Sequence, residues 1–307
     1  MEDLFRRDLS FDLKYLIALR LIFENKGLFK LINLNLTKQE ILDLKLSDLK
    51  SLKFKSTDRY LNDLENIEKF LISSNKILEQ SNQDEIKIIS IFDKDYPARL
   101  KSIEVPPVLI FCKGNFSLLN NKNNIAFVGT RKCSKLGASI SFKASSFFAE
   151  NNFNIISGLA KGIDESAHRG ALSVAGLTTA VLVDIGNISP NSNKNLAEKI
   201  LLQNGLIFSE NIPGTTNGEP FLYLERNRLQ SAISEGVFVI ESDLKSGTAK
   251  TVEHALKQGK QIYCPDFDKV AASSHEDNRS LIKKLLESSM ALPFTNLDYQ
   301  KIIKNFG

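Results

Sequence analysis

The sequence predicts an α/β protein with a doubly wound, mostly parallel sheet, preceded by a small all-α N-terminal domain. Three observations predict it. Residues 1–82 carry apolar side chains at helical spacing, with one glycine and no proline. From residue 86 onward, short β-type runs alternate with helical stretches. Several of these runs are apolar at consecutive positions, which is typical of strands covered on both faces.

Three helical patterns make up the predicted N-terminal domain. The first spans Ser10–Asn25, where leucine and isoleucine recur on one face. The second begins at Thr37, because Thr37–Glu40 fits a capping box in which two side chains satisfy N–H groups of the first turn. The third pattern covers Thr57–Ile77. The polar segment Ser81–Glu85 is the predicted linker to the second domain.

The second domain is predicted for residues 83–307 and alternates strands with helices. Its β-type runs predict strands at Ile86–Phe92, Val108–Cys112, Asn124–Val128, Phe153–Ser157, Thr178–Val183, Gly205–Phe208, Gly236–Glu241 and Lys260–Cys264. Its helical stretches predict helices near Ser134–Asn151, Gly162–Ala175, Ser192–Gln203, Glu219–Ser231, Gly247–Gln258 and Asn278–Ser288. Strands separated by helices imply right-handed crossovers and therefore a doubly wound sheet.

Composition narrows the function classes. The 307 residues have a net charge of +4, a mild preference for anionic partners that does not by itself indicate nucleic acid. The three cysteines show no CxxC spacing and the three histidines are scattered, so no metal site and no cofactor are predicted. The N-terminus lacks the apolar core of a signal peptide, and no uncharged run is long enough to span a bilayer. We expect a cytoplasmic protein without membrane association.

Three predicted strands are followed by loops that suit phosphate. The carboxyl ends of parallel strands meet at one edge of the sheet. Glycine lets a backbone approach an anion closely, hydroxyls donate hydrogen bonds, arginine grips phosphate bidentately and lysine adds a point charge. The loops contain Gly129, Thr130 and Arg131, then Ser157, Gly158, Lys161 and Gly162, and finally Ser246, Gly247 and Thr248.

Two further observations bear on whether these loops bind a ligand, and which one. Tight turns between strand and helix require glycine in any α/β protein, with or without a ligand. The loops also lack the GxGxxG dinucleotide fingerprint and the GxxxxGK[ST] P-loop, which disfavours ordinary NAD binding and P-loop hydrolysis.

The segment Glu219–Arg228 interleaves aromatic and basic residues. Such a pattern suits single-stranded nucleic acid, since a base stacks on a flat ring and arginine takes the backbone. The alternative is a helix start with a buried Phe221 and an internal ion pair between Glu225 and Arg228. The candidate binding residues here are Phe221, Arg226, Asn227 and Arg228.

Asp164 and His168 stand one helical turn apart and are able to hydrogen-bond. No serine or cysteine nucleophile motif accompanies them. A stabilising negative charge at a helix N-terminus is the simpler interpretation of Asp164, and no catalytic residue is predicted.

Together these segments resemble the DNA-processing protein A family, also called DprA or Smf. The resemblance covers roughly residues 86–290 and keeps the family's order. Its most specific elements are the Ser157–Asp164 run followed by His168, and the Arg226–Arg228 triplet. Other matching segments are Tyr96-Pro97, Pro106–Asn115, Ile125–Arg131 with Gly137, Ser209-Glu210, Phe221, Ser246–Thr248 and Leu281-Ile282.

The resemblance implies an extended Rossmann-like domain that binds single-stranded DNA without catalysing a reaction. It also implies protection of incoming strands, loading of the RecA recombinase in natural transformation, and a homodimer. Carried over by position, Gly129, Thr130 and Arg131 would grip a phosphate, and Ser157, Gly158 and Gly162 would offer backbone amides. Phe221, Arg226 and Arg228 would border the strand. Base stacking by Phe221 and participation of Lys161 are additional hypotheses.

Some positions depart from the family pattern. Asp184 brings a negative charge to the predicted binding edge, Ser189-Pro190 replaces a Tyr-Pro, and Pro265-Asp266 replaces a Pro-Gly. Few residues follow Pro265, so we expect no C-terminal winged helix. Asp184 and Asp266 are expected to influence DNA affinity.

Two other classes remain as alternatives. The first is a Lonely guy-like enzyme that cleaves the base from a nucleoside monophosphate with a PGGxGTxxE motif. Here Thr251 stands at the position of its glutamate, and Glu253 follows two residues later. The second is a non-catalytic nucleotide sensor. A mononucleotide would saturate such a sensor, whereas the affinity of a DNA-binding protein would depend on strand length.

Overall fold

The computed structural model describes residues 12–51, 57–270 and 278–306. They fall into two compact units. The first comprises the described residues of 1–96 together with 104–110, and the second those of 97–103 together with 111–307.

The first unit is mainly helical, which agrees with the sequence pattern. Its elements are α1 (Leu13–Ile22), α2 (Asn25–Ile32), α3 (Lys38–Leu42), α4 (Leu46–Ser51), α5 (Thr57–Glu65), α6 (Ile67–Gln83) and the strand β1 (Lys87–Ser90). Asp12 caps α1, since its Oδ1 accepts a hydrogen bond from the Tyr15 backbone N at 2.7 Å. The buried side chain of Asn25 ties α2 to the 104–110 segment, where it bonds the Pro106 O and the Val108 N.

The predicted capping box is confirmed. The Thr37 N donates to Glu40 Oε2 at 2.7 Å, and the Glu40 N donates to Thr37 Oγ1 at 3.2 Å. The first helical pattern is confirmed over α1, which ends at Ile22 because the backbone becomes extended at Phe23, whereas α2, which begins at Asn25, was not predicted. Residues 10 and 11 of the pattern lie outside the described part. The predicted linker is also wrong over residues 81–83, where α6 continues because Ser81 is buried against the rest of its unit.

The second unit contains a doubly wound sheet, as predicted. Its strand order is β2-β6-β5-β4-β3-β7-β8-β9, with β2 entering this unit at Phe111. Only β2 with β6 pairs antiparallel, and the other neighbours in this order pair parallel. The strands are β2 (Leu109–Gly114), β3 (Asn124–Val128), β4 (Asn154–Ser157), β5 (Thr178–Val181), β6 (Leu206–Ser209), β7 (Gly236–Val239), β8 (Gln261–Pro265) and β9 (Leu292–Phe294).

Helices connect these strands at the predicted places. They are α7 (Ala98–Lys101), α8 (Lys135–Glu150), α9 (Ile163–Ser173), α10 (Lys194–Leu202), α11 (Pro220–Ala232), α12 (Gly247–Lys257), α13 (Phe267–Val270), α14 (Ser280–Glu287) and α15 (Tyr299–Lys304). The sequence analysis missed β9, α7, α13 and α15, all of which are too short to show a period. Within the described part of the chain, no helix is long and apolar enough to cross a membrane.

An aromatic core fixes the two strands that frame the candidate site. The rings of Phe127 on β3 and Phe238 on β7 stack with centroids 4.8 Å apart. Phe148 of α8 packs on both rings, at 6.4 and 5.0 Å, and Tyr263 of β8 stacks on Phe238 at 4.9 Å. All four rings are at most 2% exposed, so their burial holds β3 and β7 rigidly side by side.

Candidate functional site

A cleft of about 680 Å³ opens where the chain order reverses, beyond the carboxyl ends of β3 and β7. Ligands of doubly wound proteins bind in such crevices. Loops after β3 and β7 and the first turns of α11 and α12 line it. The predicted site residues that the structure brings together here are Gly129, Thr130, Arg131, Arg226, Asn227, Ser246, Gly247 and Thr248.

Arg131 provides an accessible positive charge in the cleft. Its guanidinium carbon lies 5.3 Å from the centroid of the Tyr223 ring, a cation–π contact that orients the side chain. Within the described residues Arg131 forms no ion pair with a carboxylate. The preceding residue is fixed, since the Thr130 N donates to the Glu241 O at 2.7 Å. An anion entering the cleft would therefore meet an oriented and exposed guanidinium.

The N-terminus of α12 forms the opposite wall. Ser246 caps the helix, accepting from the Ala249 N at 3.2 Å. A Cβ added at Gly247 would meet only Leu224 Cδ2, at 3.6 Å, so packing does not require glycine here. The glycine leaves room for a ligand beside the unpaired N–H groups of an 11-residue helix, a favourable place for an anion.

Gly129, Gly158 and Gly162 serve close packing instead. A Cβ at Gly129 would lie 2.5 Å from Ile163 Cγ1, and one at Gly158 would lie 2.1 Å from Arg226 Nη1. Gly162 has φ +81°, and its Cβ would lie 2.5 Å from the Thr130 O. These three glycines therefore fit the alternative that the sequence left open, namely tight strand-to-helix turns.

The loop after β4 offers little to a ligand. The Ser157 hydroxyl is buried and donates to the Phe127 O at 2.7 Å. The Gly158 N–H, expected to face a ligand, instead donates to Asp164 Oδ2 at 3.1 Å. The exposed Lys161 is not among the cleft-lining residues. The fold therefore uses most polar groups of this loop internally.

Arg226 lies at the back of the cleft and is only 6% exposed. Its Nη1 donates to the Val181 O at the end of β5. Burial lowers the pKa of the Arg226 guanidinium to about 10, although the nearby Asp164 carboxylate acts in the opposite direction. Burial likewise raises the pKa of Asp164 to about 6, opposed by the charge of Arg226. Each of these buried charges thus favours the charged form of the other.

Arg228 faces away from the cleft. It forms a bidentate ion pair with Glu210, with Nη1–Oε1 and Nη2–Oε2 distances of 2.6 Å each. The two side chains are 13% and 7% exposed. Arg228 also donates to the Glu225 backbone O at 3.0 Å. The charge of Arg228 is therefore neutralised within the fold.

The rest of the Glu219–Arg228 segment contributes unevenly. Phe221 is half exposed, so it is not the core residue of the alternative interpretation, but it does not line the cleft. Asn227 Nδ2 donates to the Gly247 O at 3.1 Å and thereby ties α11 to the N-terminus of α12. Asn278 also lines the cleft and donates to the Lys132 O, 146 residues away in sequence, which no local motif predicts.

The Asp164–His168 hydrogen bond considered from sequence does not form. His168 Nδ1 bonds Thr178 Oγ1 at 2.7 Å, while Asp164 accepts from the Gly158 N. His168 is fully buried, and burial together with the charge of Arg226 lowers its pKa to about 3. It is therefore a neutral core residue at neutral pH.

Asp184 does not present its charge to the edge as the sequence suggested. It is 3% exposed, and its Oδ1 accepts from the backbone N atoms of Gly186, Asn187 and Gly214. Its Oδ2 accepts from the N and Oγ1 of Thr216. The Asp184 carboxylate therefore joins the loop of Gly186 and Asn187 to the loop of Gly214 and Thr216. The second departure, Asp266, forms an ion pair with Lys269.

The fold and cleft define a Rossmann-like protein with an open, cationic crevice at its switch point. A model of the family described as DNA recombination-mediator protein A matches residues 87–302. The chain therefore belongs to this family, as the sequence motifs indicated.

Relatives with known names agree. Protein Smf of Borreliella burgdorferi is 35% identical over 251 residues, which are 80% of this chain and 76% of that protein. DNA processing protein DprA of Bacillus subtilis is 33% identical, covering 64% of this chain and 66% of the relative. The Streptococcus pneumoniae DprA is 39% identical, covering 57% of this chain and 61% of the relative.

Two solved structures are similar to this chain over most of its length. The X-ray structure of DprA from S. pneumoniae matches with a TM-score of 0.77 and 29% identity, covering 96% of this chain and 98% of that one. A structure of DNA processing protein A from Helicobacter pylori, described as showing a single-stranded DNA binding mode, matches with a TM-score of 0.63 and 25% identity. That match covers 73% of this chain and 98% of the other.

Proposed function

We propose that this protein binds single-stranded DNA in the cleft between β3 and β7 and does so without catalysing a reaction. The observation that carries the proposal is Arg131, an exposed guanidinium held over the Tyr223 ring beside the open helix N-terminus at Gly247. Arginine grips phosphate bidentately, and helix N–H groups add further donors. The single-stranded DNA binding described for the H. pylori relative supports the same ligand.

The biological role follows from the family. A recombination mediator of this type would protect incoming strands in the cytoplasm and assist loading of RecA during natural transformation. We include a homodimer in the proposal, and an N-terminal helical domain of residues 1–82 followed by a DNA-binding domain of residues 83–307. Membership of a family described as a DNA recombination mediator supports the role in recombination.

Two of the candidate acid–base glutamates are engaged in other contacts, which supports a non-catalytic role. Glu241 is fully buried and accepts from the N and Oγ of Ser134. Thr251, at the position of the catalytic glutamate in Lonely guy-like enzymes, lines the cleft. Glu253 pairs with Lys250 and Lys257 on the surface of α12. The alternatives to strand binding are a phosphoribohydrolase and a nucleotide sensor.

The test is fluorescence anisotropy of labelled oligo-dT of several lengths, at about 50 and about 200 mM salt. We expect affinity that grows with strand length and falls as salt rises, because bound counterions are released. Arg131→Ala should weaken binding by about 30-fold, in line with the loss of about 2 kcal/mol for a charged phosphate contact. Arg169→Ala is the matched control, since Arg169 is an exposed arginine on α9 outside the cleft.

Two results would contradict the proposal. The first is equal affinity of wild type and Arg131→Ala for every strand. The second is saturation by thymidine monophosphate at the same concentration as by the longest strand, which would favour a sensor. Release of free base from a nucleoside monophosphate would favour the enzyme.

A further inference from the structure

A second surface feature lies on the helix layer formed by α8, α9 and α10. It is a groove of about 510 Å³ between these helices. Apolar and basic side chains dominate its lining, which includes Phe142, Leu172, Leu196, Leu202, Arg169 and Lys199.

The apolar side chains of the groove are unusually accessible. Leu202, at the end of α10, is 84% exposed, and Phe142 of α8 is 38% exposed. Leu172 is half-buried, and Leu196 is buried beneath the groove. A single exposed leucine needs no explanation, but an apolar floor with two exposed apolar rims is typical of an interaction site.

Both charged residues that line the groove are basic, and Glu165 beside it offsets part of the charge of Arg169. Arg169 is held in place by Glu165, with an Nη2–Oε1 distance of 2.8 Å, and its side chain remains half exposed. Lys199 is exposed on α10 and forms no ion pair within the described residues. No carboxylate is among the residues that line the groove. A ligand with apolar contacts and negative flanks would complement this surface.

The groove lies away from the DNA cleft. Its residues on α9 and α10 belong mainly to the C-terminal halves of these helices, such as Leu172 in Ile163–Ser173 and Leu202 in Lys194–Leu202. Crossover helices run back from the carboxyl edge of the sheet, so their C-termini lie toward the amino edge of the strands. A partner in the groove would therefore leave the cleft open to DNA.

We propose that this groove binds one amphipathic helix of a partner protein, with leucine or phenylalanine on its apolar face and Asp or Glu on its flanks. Helix-in-groove recognition uses apolar anchors at positions i, i+3, i+4 and i+7. The positive rim selects the acidic flanks. The function is recruitment of a second protein to a strand held in the cleft.

A second copy of this chain fits the groove less well. A two-fold contact places the same patch of both copies face to face, so the positive rims would meet each other. Nucleic acid fits the groove less well: Arg169 and Lys199 would offer donors to its phosphates, but the exposed Leu202 would give them no favourable contact.

The test uses the full chain and a synthetic helical peptide of about 15 residues, or about four turns. Its leucines stand at i, i+3, i+4 and i+7, and glutamates occupy the flanks. A second peptide carries lysine in place of every glutamate. We expect the acidic peptide alone to bind, and Leu202→Glu or Lys199→Glu to weaken it at least about tenfold. Leu297→Glu is the matched control, because Leu297 is 86% exposed and lies outside the groove.

Oligo-dT affinity is measured on the same samples and should be unchanged by Leu202→Glu, which separates failure of this inference from failure of the proposed function. The inference is overturned if the acidic peptide does not bind, if both peptides bind equally, or if Leu202→Glu and Leu297→Glu behave alike. It is also overturned if Leu202→Glu dissociates an oligomer of the wild-type chain, since a second copy would then occupy the groove.

Discussion

Charged residues at the carboxyl edge of the sheet form two groups that differ in accessibility. The inner group comprises Asp164, Arg226 and the Arg228–Glu210 pair, all of them buried or nearly so. The outer group consists of Arg131, which is exposed and lies over the Tyr223 ring. The comparison indicates that membership of a binding motif does not by itself make a basic residue available to a ligand.

Burial explains the difference. Removing a charge from water costs several kcal/mol, so a buried charge persists only with a partner and hydrogen bonds. Arg228 meets that requirement through Glu210. Arg226 meets it only in part, since its Nη1 donates to the Val181 O while its buried Nε has no hydrogen-bond partner among the described residues. Arg131 remains in water and retains its capacity to bind an anion. We therefore expect the inner group to stabilise the fold and the outer group to bind the proposed ligand.

The largest effect is expected for the inner group. Arg228→Ala would leave the Glu210 carboxylate buried without its ion-pair partner, and loss of one member of a buried pair costs about 3–5 kcal/mol. Urea denaturation should show this loss in the free energy of unfolding, whereas Arg169→Ala, at a half-exposed i,i+4 pair, should change it by less than about 0.5 kcal/mol. A loss below about 1 kcal/mol in the free energy of unfolding of Arg228→Ala would contradict the assignment of Arg228 to the group that stabilises the fold.

His168 provides a pH-dependent test of the same buried layer. Its pKa is about 3 in the folded protein and about 6.5 when unfolded. As pH falls below about 6.5, only the unfolded state takes up the proton, so stability decreases by about 1.4 kcal/mol per pH unit. Between about pH 7 and pH 5, wild type should lose about 2 kcal/mol more than His168→Asn.

The measurement is urea denaturation of both proteins across this pH range, and the variant serves to subtract all other titrations. Parallel pH curves for the two proteins would mean that His168 is not buried in its neutral form.

The smallest expected effect concerns Gly247 on the outer side. In Gly247→Ala the methyl group would occupy the space reserved for an anion, so affinity for oligo-dT should fall about fivefold, close to 1 kcal/mol. Stability should stay equal or rise by up to about 1 kcal/mol, since alanine is the better helix former.

Gly158→Ala is its counterpart, and there we expect lower stability because the new Cβ would collide with Arg226 Nη1. Anisotropy and urea denaturation of both variants separate the two roles. A Gly247→Ala protein with wild-type affinity would remove the helix N-terminus from the site.

Local patterns predicted much of the fold. The strand Asn124–Val128 was predicted with its observed bounds, because consecutive apolar residues and the following glycine mark it clearly. The strand Leu292–Phe294 was missed, since three residues that include a proline show no period. The helix break at Asn66 was missed because apolar spacing continues across it.

The site was predictable in location more than in detail. Sheet topology places the loops after β3 and β7 together, and the glycine and hydroxyl pattern marked them. Local sequence patterns could not predict the partners of the two arginines. Arg228 pairs with Glu210, 18 residues away, and Arg226 donates to the Val181 O, 45 residues away. The same holds for Asp184, whose partners include Gly214 and Thr216 on a separate loop.

The most direct test of the division between inner and outer charges measures two quantities on two variants. Oligo-dT affinity and the free energy of unfolding are determined for Arg131→Ala and Arg228→Ala, with affinity taken where both proteins are folded. We predict that Arg131→Ala loses affinity at unchanged stability, while Arg228→Ala loses stability and retains affinity. A folded Arg228→Ala protein that loses as much affinity as Arg131→Ala would contradict the account.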